Sequence, residues 1–417
     1  MQFGCSALSS SAAAYLIYMT KCPLLLWLAG QCRLDATGSI TAKKRDGFVQ
    51  LLERWFAMAE FFIVRLRFVE RLILCFAIGA LGPNIALAAD VQQNSCAQIS
   101  RETCDLAKSL KRGINFGNML EAPREGDWGV RVEPQLIELA AANFSTVRVP
   151  IRWSNHAAVT ADATLDDFFA KRVDNVVDAL LAKGLNVIIN VHHYSQLAGG
   201  NPGQNEFPVD PSVVDVRYIN IWKQVAERYK NRSPKLIFEL LNEPSGRLDG
   251  DVWNKLLVQA LEAVRRVNPV RAVLIGPSYW NNVRDLPKLK IPADKNIIVA
   301  FHTYDPLGFT HQGVRWITMA LPVGTMCCDT AQKNQIISAM DAAKKWSEAN
   351  GYPLHLGEFG TVNDAPMAAR VDYARFVRDQ AEARGFGWTY WELASTFGIF
   401  NAKSAQWVEP LRKALLD

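Results

Sequence analysis

Beyond residue 88 this sequence lacks an excess of either charge. There 37 Lys and Arg face 36 Asp and Glu, although the whole 417-residue chain carries a formal net charge of +5. A nucleic-acid-binding domain carries a basic face or stripe, so no nucleic acid is expected as a partner. Cysteine is sparse in the same region. Of eight cysteines only Cys96, Cys104, Cys327 and Cys328 lie there, and no CxxC or HxxxH spacing occurs. Structural metal sites draw on such spacings, so no metal and no cofactor is expected. Repeats, low-complexity tracts and Ser/Pro-rich linkers are missing too, which leaves a single large domain. Disorder is excluded by a composition that is 49% hydrophobic and 21% charged, with 12 Trp and 20 Phe.

What is present begins with a segment that does not read as fold. Arg65, Arg67 and Arg71 precede a short apolar core over 72–80, and Ala86-Leu87-Ala88 follows. A basic stretch, an apolar stretch and a small-x-small site form a secretory signal peptide, here 58–88. The apolar run is short and holds Pro83, so no stable membrane span is expected in the mature form. Residues 1–57 have an apolar patch over 24–29 and a basic cluster over 43–45 without helical period; Met58 is read as the true start and 1–57 as an upstream extension. The expected destination is secreted or periplasmic. Export permits disulfides. Four cysteines allow three pairings, of which Cys96–Cys104 is favoured.

After a short N-terminal segment, 89–109, residues 110–417 alternate between two patterns. Apolar runs at 113–116, 146–151, 186–191, 235–241, 272–275, 297–301, 354–359 and 387–391 are short and rich in β-branched or aromatic residues, as strands buried on both faces are. Helical patterns lie between them at 165–183, 211–229, 251–267, 331–350, 365–383 and 408–416. In the first, Leu165, Phe168, Phe169, Val173, Val176, Val177, Leu180 and Leu181 form one stripe, Thr164 with Asp167 resembles a cap, and Gly184 closes it. Eight strand–helix units predict a (β/α)8 TIM barrel in the α/β class. A doubly wound sheet is the alternative, but no Gly-rich phosphate turn follows the first strand. The last helix reaches the C-terminus, so no appended binding module is expected.

Catalytic groups of such barrels lie at the C-terminal ends of strands. The polar residues there are Asn118 and Glu121, Arg148, His192 and His193, Asn242 and Glu243, His302-Thr303-Tyr304, Glu358 and Trp391. Two carboxylates among Arg, His and aromatic neighbours suit glycoside hydrolysis, where one carboxyl must be protonated and the other ionised. Like charges close together drive two pKa values apart. Glu239, within the fourth strand, reads as structural, and His355 as a packing residue of the seventh.

The string Leu236-Ile-Phe-Glu-Leu-Leu-Asn-Glu-Pro244 resembles the signature of glycoside hydrolase family 5, the cellulase-type retaining barrels. The resemblance continues through Arg112-Gly-Ile-Asn-Phe-Gly-Asn118, Val191-His-His-Tyr194, His302-Thr-Tyr304, Leu356-Gly-Glu-Phe-Gly360 and Trp388-Thr-Tyr-Trp-Glu392, one motif per strand end and in order. It implies Glu243 as general acid/base and Glu358 as nucleophile, with retention of configuration. It further implies that Arg148 and Tyr304 hold Glu358, that Asn242 contacts the 2-hydroxyl, that His192 and His302 face the sugar or the carboxyls, and that Trp391 stacks on a pyranose; His193, beside His192, is a further substrate-binding candidate without a clear family counterpart. Trp128, Trp153, Tyr194, Trp280 and Trp316 are candidates for further subsites, and the long segment 305–330 for a wall of the cleft.

The expected partner is a β-linked polysaccharide or oligosaccharide, bound by a monomer. Residues 112–128 resemble the glucanase-type members, which favours an endo-β-1,4-glucanase. A β-1,4-mannanase or glucomannanase of the same mechanism and a non-catalytic carbohydrate-binding barrel are the alternatives; loss of either glutamate would mark the latter, and both are present.

Overall fold

The computed structural model describes residues 95–317 and 321–417. The expectations for 1–57 and 58–88 lie outside the described residues. The chain divides into two units, Met1–Ala86 and Leu87–Asp417, and the barrel belongs to the second.

Eight parallel strands close into a barrel in sequence order: β1 (Arg112–Asn115), β2 (Thr146–Val149), β3 (Asn186–Asn190), β4 (Leu236–Glu239), β5 (Val273–Ile275), β6 (Ile297–His302), β7 (Leu354–Glu358) and β8 (Gly387–Tyr390), with β8 returning to β1. Around them, after a leading helix α1 (Arg101–Ser109), run α2 (Pro134–Asn143), α3 (Asp167–Ala182), α4 (Val214–Tyr229), α5 (Asp251–Arg265), α6 (Thr330–Asn350), α7 (Met367–Ala383) and α8 (Glu409–Leu416). Between β5 and β6 the outer layer is a 3-10 segment, Val283–Lys288, in place of a long helix. A small hairpin, Phe400–Asn401 with Gln406–Trp407, precedes α8.

Strand alternation divides the core in two. Val147, Val149, Val187, Ile189 and Phe238 point outward into the layer beneath the helices. Ile188, Ile237, Leu274, Ile298 and Ala300 point inward and form a separate cluster with Leu110, against which Leu106 and Ala107 of α1 pack. The lower half of the barrel is therefore filled with aliphatic side chains and closed from below by α1. Ser100 caps α1 by accepting from Thr103 N at 3.2 Å, and the Cys96–Cys104 disulfide ties its first turns to the preceding chain. Cys327 and Cys328 are bonded to each other.

The upper half is polar. Asn115 pairs in register with Arg148, and Asn190 with Glu239, so four polar side chains enter the barrel at its C-terminal end. A register shift between Phe301 and His302 sets His302 beside Glu358.

Most predicted helices lie within a few residues of the observed ones, with two corrections on α3. The cap is Asp166, which accepts from Phe169 N at 2.8 Å, while the Thr164 hydroxyl turns to Asp162. Phe168 is 87% exposed rather than part of the apolar stripe. Phe169, Val173, Val176, Val177 and Leu180 set the buried face, and position 168 is turned about 100° from it. Helices α1 and α2 and the 3-10 segment were not in the predicted pattern.

Candidate active site

The ends of β1, β2, β3, β4, β6 and β7 contribute polar groups to a shared centre, and Arg148 joins several of them. Its guanidinium is fully buried and uses all five N–H donors. Nε and Nη2 fork onto Glu239 at 2.7 and 3.1 Å; Nη1 reaches Glu358 Oε1 at 2.7 Å and Asn115 Oδ1 at 2.8 Å; Nη2 reaches Asn242 Oδ1 at 2.6 Å. Glu239 is as buried as Arg148 and also accepts from Asn190 Nδ2 at 2.9 Å. It is the structural partner expected of it, and it touches neither Glu243 nor Glu358.

Glu358 lies at the end of β7 with 6% of its side chain exposed. Besides Arg148, Tyr304 donates its hydroxyl to Oε2 at 2.8 Å. Glu243, one residue beyond Asn242, keeps 24% of its side chain exposed and receives His302 Nδ1 at Oε1, 2.8 Å away. One oxygen of Glu243, one of Glu358 and a ring nitrogen of His302 lie within 4.8 Å of one another. Three such ligand atoms are also what a cation would use, but a cation here would stand against the Arg148 guanidinium.

The two carboxyls differ electrostatically. Burial pushes Glu243 up to about 7, with Glu239 adding to the rise and Arg148 opposing it. Burial also raises Glu358, and the Arg148 guanidinium and the Tyr304 hydroxyl oppose the rise. Burial favours the protonated form of Glu243, while Glu358 is hydrogen-bonded directly by the Arg148 guanidinium, which favours its ionised form. His302 is pushed down to about 4 by burial and is a neutral ring. Burial likewise lowers His192 far below its usual range and His193 to about 3.

His192 stacks on Trp391, ring centres 5.7 Å apart, and Asn190 holds its Nδ1 at 3.2 Å. His193 borders a cleft of about 370 Å³ that also takes in Tyr194, Asn242, Glu243, Ser245 and Trp280. Of the proposed platform residues, Trp280 and Trp316 are 52% and 61% exposed. Trp153 is fully buried against Phe169 and is core, not subsite. Tyr194 lines the cleft but ties its hydroxyl to Arg217 at 2.6 Å. His311 sits edge-on to Tyr304, with ring centres 4.8 Å apart.

Two groups here, Asn115 and Asn190, escape sequence reasoning. Asn115 and Asn190 hold Arg148 and Glu239; their signal was a polar residue at an inward-facing position of an otherwise apolar strand. Glu121 is fully buried, accepts from the backbone of Asn118 and Met119, and is pushed by burial to about 8. Glu392 does the same for Ala394, Ser395 and Phe397 and is raised to about 7. Both brace loops at the mouth.

A closed parallel barrel whose C-terminal mouth opposes two carboxyls at this spacing has the architecture of the retaining glycoside hydrolases, whose carboxyl groups stand about 5–5.5 Å apart. The family described as "Cellulase (glycosyl hydrolase family 5)" matches residues 113–396. Endoglucanase H of Acetivibrio thermocellus is 36% identical over 320 residues, covering 75% of this chain and 33% of its own length. Endoglucanase A of Clostridium longisporum is 28% identical over 346 residues, covering 74% and 64%. The solved structure of Cel5A from Thermotoga maritima in complex with mannotriose is 38% identical, with a TM-score of 0.70, covering 75% of this chain and 99% of that one. The chain belongs to glycosyl hydrolase family 5. It spans about a third of Endoglucanase H and under two thirds of Endoglucanase A.

Proposed function

We propose that the chain is an exported endo-β-1,4-glucanase that cleaves cellulose-type or mixed-linkage glucan with retention. The observation that carries the reading is the Glu243–Glu358 pair, within 4.8 Å and in unequal surroundings. Glu358, ionised beside Arg148, attacks the anomeric carbon; the glycosidic C–O bond breaks, and the Glu243 proton passes to the departing oxygen. The ester that forms removes the negative charge of Glu358. Glu243, now ionised, takes a proton from the water that hydrolyses the ester, and both groups return to their starting states. Asn242 and His192 face the same centre and suit sugar hydroxyls, and Trp391 offers a flat apolar face.

The near-neutral balance of 89–417 suits an uncharged polymer, which is held by hydrogen bonds and aromatic faces. A mannan-cleaving activity is the second reading, and a relative solved with mannotriose supports testing it. The purified protein is assayed for reducing ends on carboxymethyl-cellulose, barley β-glucan and galactomannan, with Glu358→Gln as control. Release from the glucans that the variant abolishes supports the proposal; release from galactomannan alone keeps the mechanism and replaces the substrate; none from any refutes it. Export rests on the 58–88 pattern. N-terminal sequencing of exported material should begin at or next to Ala89, and an intact residue 1 would overturn that part.

A further inference from the structure

Tyr279, Trp280 and Asn281 follow β5 in three consecutive left-handed conformations, φ 58°, 56° and 55°. Non-glycine residues seldom adopt this region, and a run of three is held only where the surroundings enforce it. Two backbone-directed bonds do so: Trp280 N donates to Pro244 O at 3.1 Å, and Asn281 Nδ2 donates to Asn242 O at 2.6 Å. The turn is therefore laced to the segment that carries Glu243. Asn281 is 1% exposed, and its Oδ1 has no hydrogen-bond partner. That oxygen lies over Gly276, where a Cβ would stand only 1.9 Å from it.

The second Nδ2 hydrogen points to His302 Nε2, 3.5 Å away. The amide cannot be reversed, because Oδ1 would then face the Asn242 carbonyl at 2.6 Å, acceptor against acceptor. With a donor fixed at Nε2, the neutral ring must carry its hydrogen on Nδ1. That nitrogen is the one 2.8 Å from Glu243 Oε1.

From this geometry we infer that Asn281 is a positioning residue that sets the His302 tautomer, so that His302 donates to Oε1 of Glu243 and the acid proton is confined to Oε2. The inference rests on the glycosidase reading for its consequence, but not for the tautomer itself. The dangling Oδ1 is consistent with an amide placed for its two donors. Charged groups facing His302 are Glu358 of β7, Arg148 of β2 and Glu239 of β4, with Glu243 itself; those facing Glu243 are Arg148, Glu239 and Glu358.

Two readouts test it on the full chain. In ¹⁵N-histidine NMR, with His302 assigned through His302→Gln, the wild type should show a protonated Nδ1 and an unprotonated Nε2; Asn281→Ala should show a mixture of tautomers. In kinetics, kcat/KM of Asn281→Ala on cellotetraose, which has a poor leaving group, should fall by about tenfold or more, a fraction of the 10²–10⁴ that a general acid contributes. On 2,4-dinitrophenyl β-cellobioside, whose leaving group needs no proton, it should change by less than about twofold. Gly276→Ala, whose Cβ would press on the Asn281 amide and displace it while leaving both donors chemically intact, should reproduce the split. A wild-type ring protonated at Nε2, or equal losses on both substrates, overturns the inference. If the wild type cleaves neither substrate, the glucanase reading fails, and the NMR result still decides the tautomer.

Discussion

Arg148→Met removes the buried cation that bonds Glu239 and Glu358 while keeping an unbranched apolar chain of similar length. Glu239 is then left fully buried with Asn190 donating to it, and Glu358 keeps the Tyr304 hydroxyl, with His302 Nδ1 3.8 Å away. Removing one partner of a buried pair costs about 3–5 kcal/mol, because the other charge stays uncompensated. At 1.4 kcal/mol per tenfold, that lowers the folded-to-unfolded ratio by about 10²–10⁴. Glu239→Gln added to Arg148→Met removes the stranded charge and should recover at least about 1 kcal/mol, a coupling expected of residues in direct contact. Activity should not return with it, since Glu358 still lacks its cation. Urea unfolding with linear extrapolation gives the stabilities, and kcat/KM against pH gives the chemistry. Arg148 favours the ionised Glu358, so without it the Glu358 carboxyl rises further, and the acid limb should move to higher pH. A single variant within about 1 kcal/mol of wild type, or a double variant no more stable than the single, would refute the claim that Arg148 neutralises two buried carboxylates.

Other perturbations probe the same geometry. Glu358→Gln should lower kcat by at least about 10³-fold with the fold retained, checked by steady-state kinetics beside circular dichroism. Glu243 must be protonated to act as acid and is raised to about 7, so kcat/KM should fall as pH rises through about 7; an alkaline limb near 4.5 would contradict the burial argument. The same shift makes folding less favourable as pH climbs from the ordinary glutamate value to about 7, because the unfolded chain gives up that proton first. Cys96→Ala with Cys104→Ala opens a loop with a sequence separation of 8, which in the chain-entropy treatment costs about 2–3 kcal/mol, read as a lower urea midpoint under non-reducing conditions.

Much of the site was legible because a barrel places strand ends on one rim. Once eight apolar runs are phased, Asn242, Glu243, His302, Tyr304 and Glu358 fall on that rim without any tertiary information. The groups that hold them were less visible. Asn115, Asn190 and Glu239 lie inside strands, where a polar residue reads as an interruption until the inward side of each strand is known. Asn281 was out of reach for a different reason: it acts from a left-handed turn with no period, and its partners are 39 and 21 residues away in the chain. Phe168 misled because a stripe counted from Leu165 assumes the helix has begun there, and it starts at Asp167.

The helix beneath the barrel also constrains how the protein can be matured. If processing occurs after Ala88, as the leader pattern suggests, everything from Cys96 onward is spared, and the floor under Ile188, Ile237 and Ile298 stays in place. A protease cutting a dozen residues later would sever the Ser100 cap from α1 and leave the cut segment held through the Cys96–Cys104 bond. Were 58–88 removed as proposed, selection on that junction would also act on the stability of the barrel.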